Sequence, residues 1–557
     1  MAEAIQAIFV DPPIAVARLG ASTEPQDAFT WTQSPDPRAD GDTAVVPKIT
    51  LKVLPDGSVQ AVQPTQLDFR DAAGLVRPVC PFFEIWALVG EPGSDPATWR
   101  ETPLTRALLA RHRLKARAVV LEIDAHNLKA ARRTGNPDLA FGTHPPVQIT
   151  ADQHDRVRLA AVSPPGAATP MIPRGRFISF GFVQVMRDQP LSPGAQRADP
   201  DLEVLRFRFT PAQGRFYGPP QAATTTATRP IRAVDPENAF LDPGAGWFNA
   251  RVLPVVQPSD TFDGAEQGAG DRLGRSLGVV DDTCGARITV RLALPRARVF
   301  VAHADVFVAP PDFGADRRPF LSLADELNDR SGDAANRSAA LSATERDGWV
   351  EDLFERVYET VSLFNVDRWR DQRAIQLTGS AVTPSGVPND GVARATRAMG
   401  GQDALRNHEN PVPAPTTNEP LPLAAHARSR HVRLADLQFL RGFIAQFPGR
   451  LELLVRRAFE IDEREATRQR NGDQTSMRMP PFMRQSNAQP LTLAAWQYDL
   501  LMAWVRDAAA PAPIPVRGPA PLVGGLPEAA VLPEALSDAA RERRTEVLAR
   551  VVGRAPS

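Results

Sequence analysis

The sequence predicts an α+β, multidomain chain with a β-rich N-terminal half built of sandwich-like sheets and a helical C-terminal half. Three observations carry that expectation. Over the first 310 residues, short runs rich in Val, Ile and Phe alternate with turns rich in Pro and Gly. Beyond Pro311 the apolar residues switch to spacings of three and four, the period of an amphipathic helix. Two stretches crowded with Pro, Gly and small polar residues then interrupt the second half and mark boundaries rather than elements. The division that follows is a β-rich region at 1–310, a helical segment at 311–378, a flexible loop at 379–422, a helical region at 423–507, and a Pro-rich spacer with a terminal helix at 508–557.

Taken in chain order, strands are expected over Ile49 to Val53, Pro81 to Val89, Ala118 to Ile123, Phe177 to Met186, Leu202 to Phe209, Ala286 to Leu294 and Val299 to Val308. Within this half Thr105 to Arg117 reads most like a helix, though its apolar positions are few. Many short strands with long connections fit sandwich or barrel packing. In the second half, Ser342 and Glu345 have the spacing of a capping box. Val350, Leu353, Phe354, Val357, Val361 and Phe364 then follow at helical intervals. Leu434 to Phe447, Leu451 to Phe459, Leu493 to Val505 and Leu536 to Val552 read the same way, with Pro448 and Gly449 separating the first two. The stretch from Gly379 to Pro422 has too few large apolar groups to order itself. The run from Ala508 to Leu532 should behave as a semi-rigid Pro-rich spacer.

Composition narrows the function classes. A net charge of −1 gives no electrostatic drive towards nucleic acid or an anionic membrane. Arginine supplies 60 of the 64 basic residues, with lysine only at positions 48, 52, 115 and 129. No apolar run is long enough for a membrane span, and the first residues lack the charged and apolar regions of a signal peptide, so the expected location is the cytoplasm. Two cysteines in 557 residues exclude a disulfide framework and suit a reducing compartment. Cys284 lies in a polar Asp-Asp-Thr-Cys-Gly run and is expected as a surface or turn thiol.

No metal site is expected: His303 and Asp305 share a strand face and His154 adjoins Asp155, but neither pair has a third ligand at suitable spacing. His426 and His431 read as solvated or capping residues. The glycine-rich run from Gly264 to Gly274 lacks the preceding strand and following helix of a phosphate cradle. The pocket candidates are Tyr217, Tyr498 and the paired carboxylates Asp281 and Asp282. Paired acids can hold a cation or share a proton. Adjacent strand residues nevertheless point to opposite faces, and a turn is the simpler reading of this pair.

Several separated segments carry a family resemblance. Pro12-Pro13-Ile14-Ala15-Val16-Ala17-Arg18-Leu19-Gly20, the Phe69 to Arg77 segment, and Val280 to Val290 with Ala304 to Phe313 are three of them. Met479 to Met483 with Leu491 to Tyr498, Ala503 and Trp504 is the fourth. In this order they resemble the LodA-like family of lysine ε-oxidases and glycine oxidases, which use a cysteine tryptophylquinone cofactor. The resemblance implies oxidative deamination of an amino acid by O₂ on that quinone, with a flavoprotein assisting cofactor maturation. Leu548 to Arg554 resembles the approach to the quinone cysteine, and Val551 falls where that cysteine stands in the family. The tryptophan segment has no counterpart.

The two cysteines present do not replace the missing pair. Cys80 and Trp86 share one face of a strand-like run, but six residues at about 3.3 Å each hold them about 20 Å apart. No cofactor is therefore expected in this chain. The expected function is that of a non-catalytic homologue or quinone-lacking subunit, paired with a quinone-bearing C-terminal subunit or a flavoprotein. A stand-alone binding or assembly protein on an oxidase-derived scaffold, and an active oxidoreductase with an unlocated site, are the alternatives.

Overall fold

The computed structural model describes residues 3–33, 43–189, 200–218, 233–235, 240–241, 246–248, 261, 279–295, 298–319, 321–330, 341–362, 441, 455 and 493–509. Two compact units divide the chain. One comprises Met1–Phe29 with Pro47–Phe313, and the other Thr30–Val46 with Gly314–Ser557.

Twenty strands are present among the described residues. The first ten are β1 (Ala4–Asp11), β2 (Ile14–Arg18), β3 (Phe29–Gln33), β4 (Thr43–Pro47), β5 (Thr50–Val53), β6 (Val59–Val62), β7 (Phe82–Gly90), β8 (Arg100–Pro103), β9 (Val119–Asn127) and β10 (Phe141–Gly142). The remainder are β11 (Val147–Thr150), β12 (Val157–Ala161), β13 (Ile178–Val185), β14 (Arg206–Pro211), β15 (Phe216–Tyr217), β16 (Ala233–Asp235), β17 (Phe240–Leu241), β18 (Val280–Asp281), β19 (Gly285–Ala293) and β20 (Val299–Ala309).

Two six-stranded sheets dominate the first unit. One has the order β1-β7-β14-β13-β12 with β8 added beside β7, and the other β10-β9-β19-β20-β2 with β11 added beside β9. Period-two alternation builds both. In β7, Phe83, Ile85, Ala87 and Val89 are buried while the residues between them are half-buried. In β9, Val119, Leu121, Ile123, Ala125 and Asn127 alternate in the same way. The inward faces of both sheets contribute to one continuous apolar core. Phe83 and Phe207, cross-strand partners, stack with centroids 5.0 Å apart, and Phe141 meets Phe180 at 5.4 Å. Each such fully buried ring contributes about 1.5–3 kcal/mol relative to exposure.

Most pairings are antiparallel, while β2 runs parallel to β20. Gly181 in β13 marks a place where no other residue fits, opposite the register shift in β12. Its φ is +104° and an added Cβ would lie 2.0 Å from the Thr210 carbonyl oxygen.

The expected strands are present with end shifts of a few residues. The run holding Cys80 begins as strand only at Phe82, so Cys80 lies just outside it. The helix expected from Thr105 to Arg117 is shorter: α1 covers Arg106–Arg111, with the Thr105 hydroxyl capping Leu108 N–H. It stops because Arg113 takes a left-handed φ of +60°, which an α-helix cannot continue through. A second short helix, α2 (Lys129–Thr134), follows β9.

In the second unit the described helices are α3 (Leu323–Arg330), α4 (Ala343–Ser362) and α5 (Ala495–Ala509). The expected capping box closes α4. Ser342 N–H donates to the Glu345 carboxylate at 2.7 Å, and Glu345 N–H donates to the Ser342 hydroxyl at 3.3 Å. The Asp329 carboxylate of α3 accepts from Ala495 and Trp496 N–H at the start of α5. Trp349 and Trp496 pack together with centroids 5.8 Å apart. The described molecule is thus β-rich with few helices, and the helical C-terminal half expected from the sequence is not supported. Apart from Arg441, Val455 and the end of α5 at 508–509, the expected helices at 434–447, 451–459 and 536–552, the loop at 379–422 and the spacer at 508–532 lie outside the described residues. No described helix is long and apolar enough to cross a membrane.

Candidate functional site

Three of the four pocket candidates come together in the first unit. Strands β15 and β18 pair so that Phe216 faces Asp281 and Tyr217 faces Val280. Asp282 follows directly, and both aspartates are 2 % exposed. The turn expected at this pair is therefore replaced by the end of a buried strand. Nor is Cys284 the surface thiol expected: it is 6 % exposed and part of the apolar core. Polar residues are tolerated inside here because each carboxylate is fully furnished with partners.

The two aspartates point to different partners, as adjacent strand residues must. Asp281 Oδ1 accepts from Lys129 Nζ at 2.9 Å and from the Thr283 hydroxyl at 2.6 Å, while Trp247 Nε1 donates to Oδ2 at 3.1 Å. Lys129 Nζ also reaches Thr283 Oγ1 at 2.7 Å. Asn127, the last residue of β9, donates from Nδ2 to the carbonyls of Asp281 (3.1 Å) and Thr283 (2.9 Å) and accepts Lys129 N–H through Oδ1. Asp282 instead takes the backbone: Gly214 N–H and Arg215 N–H each donate to one carboxylate oxygen at 3.0 Å.

The electrostatics follow from the burial. Loss of water around Asp282 pushes its carboxyl up to about 8, against the lowering effect of the Arg215 N–H bond, with the neighbouring Asp281 raising it further. Burial also raises Tyr217, helped by the Asp282 charge. Cys284 is raised first by burial and then by both aspartates, so it is held as a thiol rather than a nucleophilic thiolate.

This arrangement is a clasp joining β9, α2, β15 and β18. Its carboxylate oxygens are occupied by protein donors, which leaves neither acid open to a cation. No group of three or more metal-ligating side chains occurs among the described residues. His303 bonds Thr289 Oγ1 at 3.1 Å, Asp305 pairs with Arg287, and His154 Nδ1 lies 3.2 Å from the Val185 carbonyl oxygen. The fourth candidate, Tyr498, is buried in α5 of the other unit. Val551, His426, His431 and the 264–274 run lie outside the described residues.

Asn127, Lys129, Thr283 and Trp247 were not among the sequence candidates. One signal was there for Lys129: lysine stands at only four positions in a chain whose other basic residues are all arginine.

No protein-family model matches the chain, and no curated protein matches it. Among solved structures, it is similar to the L-lysine ε-oxidase of Marinomonas mediterranea. That likeness has a TM-score of 0.40 at 13 % identity, covering 93 % of this chain and 63 % of that one. The same enzyme's Schiff-base intermediate with L-Lys gives 0.38 at 13 % identity with the same coverage. A third structure of that oxidase gives 0.36 at 14 %, covering 92 % and 63 %. The chain thus spans less than two thirds of that protein's length, and superpositions this loose carry neither activity nor substrate across.

The cofactor of the resembled family requires a thiol joined to an indole, and both cysteines are free. Cys284 is enclosed in the core. Cys80 Sγ lies 3.8 Å from the Pro78 carbonyl oxygen, and burial pushes its thiol up to about 11. Trp86 stacks on Phe9 and donates to Glu84. Neither Cys80 nor Cys284 is bonded to Trp86.

Proposed function

We propose that this chain is an oxidase-related scaffold without quinone chemistry of its own, a non-catalytic homologue or quinone-lacking subunit that works in a cytoplasmic complex with another polypeptide. The observation that supports this reading is the meeting in space of sequence segments that carry the family resemblance.

Segment 12–20 supplies β2, which lies parallel beside β20 from the 304–313 segment. Asp305 N–H donates to the Pro13 carbonyl at 2.8 Å, and Leu19 N–H to the Ala309 carbonyl at 3.1 Å. Segment 69–77 is a tight turn built on Asp71, whose Oδ1 accepts from Ala73 and Leu75 N–H. Its Val76 carbonyl accepts from Ser22 N–H, two residues past the first segment, at 3.0 Å, and Val79, two residues past its own end, forms a reciprocal pair with Arg18 of the first segment. Gly20 is required at this junction, because a Cβ there would stand 2.3 Å from Pro78 N. Residues far apart in sequence thus form one junction, which is what a shared scaffold would retain.

Both thiols titrate above their ordinary value, Cys284 buried and Cys80 half-buried, which fits a scaffold that leaves redox chemistry to a partner. The test is native co-purification of the full chain with mass spectrometry of what remains bound. A stoichiometric partner carrying a quinone or flavin supports the proposal. A chain that stays alone and inert supports the stand-alone binding reading instead.

A further inference from the structure

The outer face of the β7-β14-β13 sheet forms the floor of an open cleft of about 1240 Å³, bordered by the β5–β6 hairpin and the chain near Asp27. Arg208 of β14 lines it and is 9 % exposed. Its Nε is buried with no hydrogen-bond partner, and among the described residues its guanidinium makes no ion pair; it lies over the Phe82 ring, 5.7 Å from Cζ to centroid, and also senses Cys80, which lines the same cleft. Arg156 lines the same cleft and rests over Phe182 at 4.4 Å, also without an ion pair among the described residues. Burial pulls the Arg208 guanidinium below its ordinary value, Cys80 opposes that shift, and the Arg156 charge adds a smaller lowering.

Beside Arg208, at the paired register position on β13, Gln184 is 8 % exposed. Its Nε2 donates to the His154 carbonyl at 2.8 Å, which leaves its buried Oε1 with no donor. A buried cation without an acceptor and a buried acceptor without a donor are both unfavourable. Their adjacency defines a complementary ligand.

Four carboxylates also line the cleft, but three are committed. Asp27 pairs with Lys52 and Arg77, Glu24 with Arg77, and Asp56 with the Ser58 N–H and hydroxyl. Asp155 stays exposed at the rim.

We propose that this cleft binds a small oxyanion that carries a hydrogen-bond donor beside its negative charge, the anion held by Arg208 and Arg156 and the donor by Gln184 Oε1. Hydrogen phosphate and hydroxycarboxylates share this chemistry. The site is independent of the oxidase reading.

Isothermal titration of the full-length chain at about 0.1 M NaCl, where unspecific surface attraction is screened, tests it. The probes are inorganic phosphate, sulfate, malate and succinate. Saturable binding at a single site is expected, with phosphate favoured over sulfate, or malate over succinate, by about tenfold for the donor the weaker ligand lacks. Whichever pair binds identifies the source as phosphate or carboxylate. Arg156→Gln, at an exposed position, should weaken binding about tenfold, and Arg208→Met should abolish it. Arg158→Gln, in β12 two residues beyond Arg156 and outside the cleft, should change nothing. Absence of saturable heat with all four probes overturns the proposal, and so does unchanged affinity in Arg156→Gln, whether or not Arg208→Met folds.

Discussion

Replacing Asp282 with asparagine should cost stability that depends on pH in a direction fixed by burial. The carboxyl accepts from Gly214 and Arg215 N–H. An amide keeps one acceptor and turns its NH₂ towards the other donor, so one buried N–H is stranded at a cost of about 1–3 kcal/mol. An unfolded aspartate ionises above about 3.9, whereas folded Asp282 keeps its proton up to about 8. The proton's contribution to stability is therefore full below the lower value, declines by up to about 1.4 kcal/mol per pH unit across the window, and is gone above the upper value.

Wild type should lose roughly 2 kcal/mol from this group between pH 6 and pH 8 while Asp282→Asn loses none of it. The gap between the two proteins should close as pH rises, by several degrees of melting temperature for a unit of this size. Thermal unfolding by circular dichroism at pH 6, 7 and 8 measures this, and titrations elsewhere cancel in the difference. Melting temperatures that move in parallel would mean that Asp282 is ionised in the folded protein, refuting the reasoning.

Two further substitutions probe other parts of the structure. Lys129→Met removes the only cationic partner described for buried Asp281 while keeping the aliphatic stem, and should lower unfolding free energy by about 2–4 kcal/mol in urea titrations, more than a surface ion pair would. An effect below about 0.5 kcal/mol would show that Thr283 and Trp247 suffice. Gly20→Ala drives a methyl into the Pro78 backbone and should separate the 12–20 segment from the chain at 78–79, seen as faster proteolysis near those residues; unchanged proteolysis would mean that the junction yields easily.

The sequence displayed its sheets well because alternation is local: Phe83, Ile85 and Ala87 announce an inward face without reference to any partner. It misread the Asp281 to Cys284 corner for the opposite reason. Asp-Asp-Thr-Cys-Gly has the composition of a turn, and what makes its burial affordable are Asn127 and Lys129, more than 150 residues earlier, which no local pattern connects to it. Arg206 and Arg208 alternate with Phe207 and Phe209 as though on a solvated face, yet both arginines are buried. The α4 cap, by contrast, was readable because its two partners are three residues apart.

The most direct test of the central claim is the redox behaviour of the purified full-length chain, free of other polypeptides and supplied with lysine, glycine and the remaining amino acids in air. A scaffold without its own quinone should show no visible quinone absorbance and release no hydrogen peroxide. A quinone band together with amino-acid-dependent peroxide from the chain alone would contradict the account.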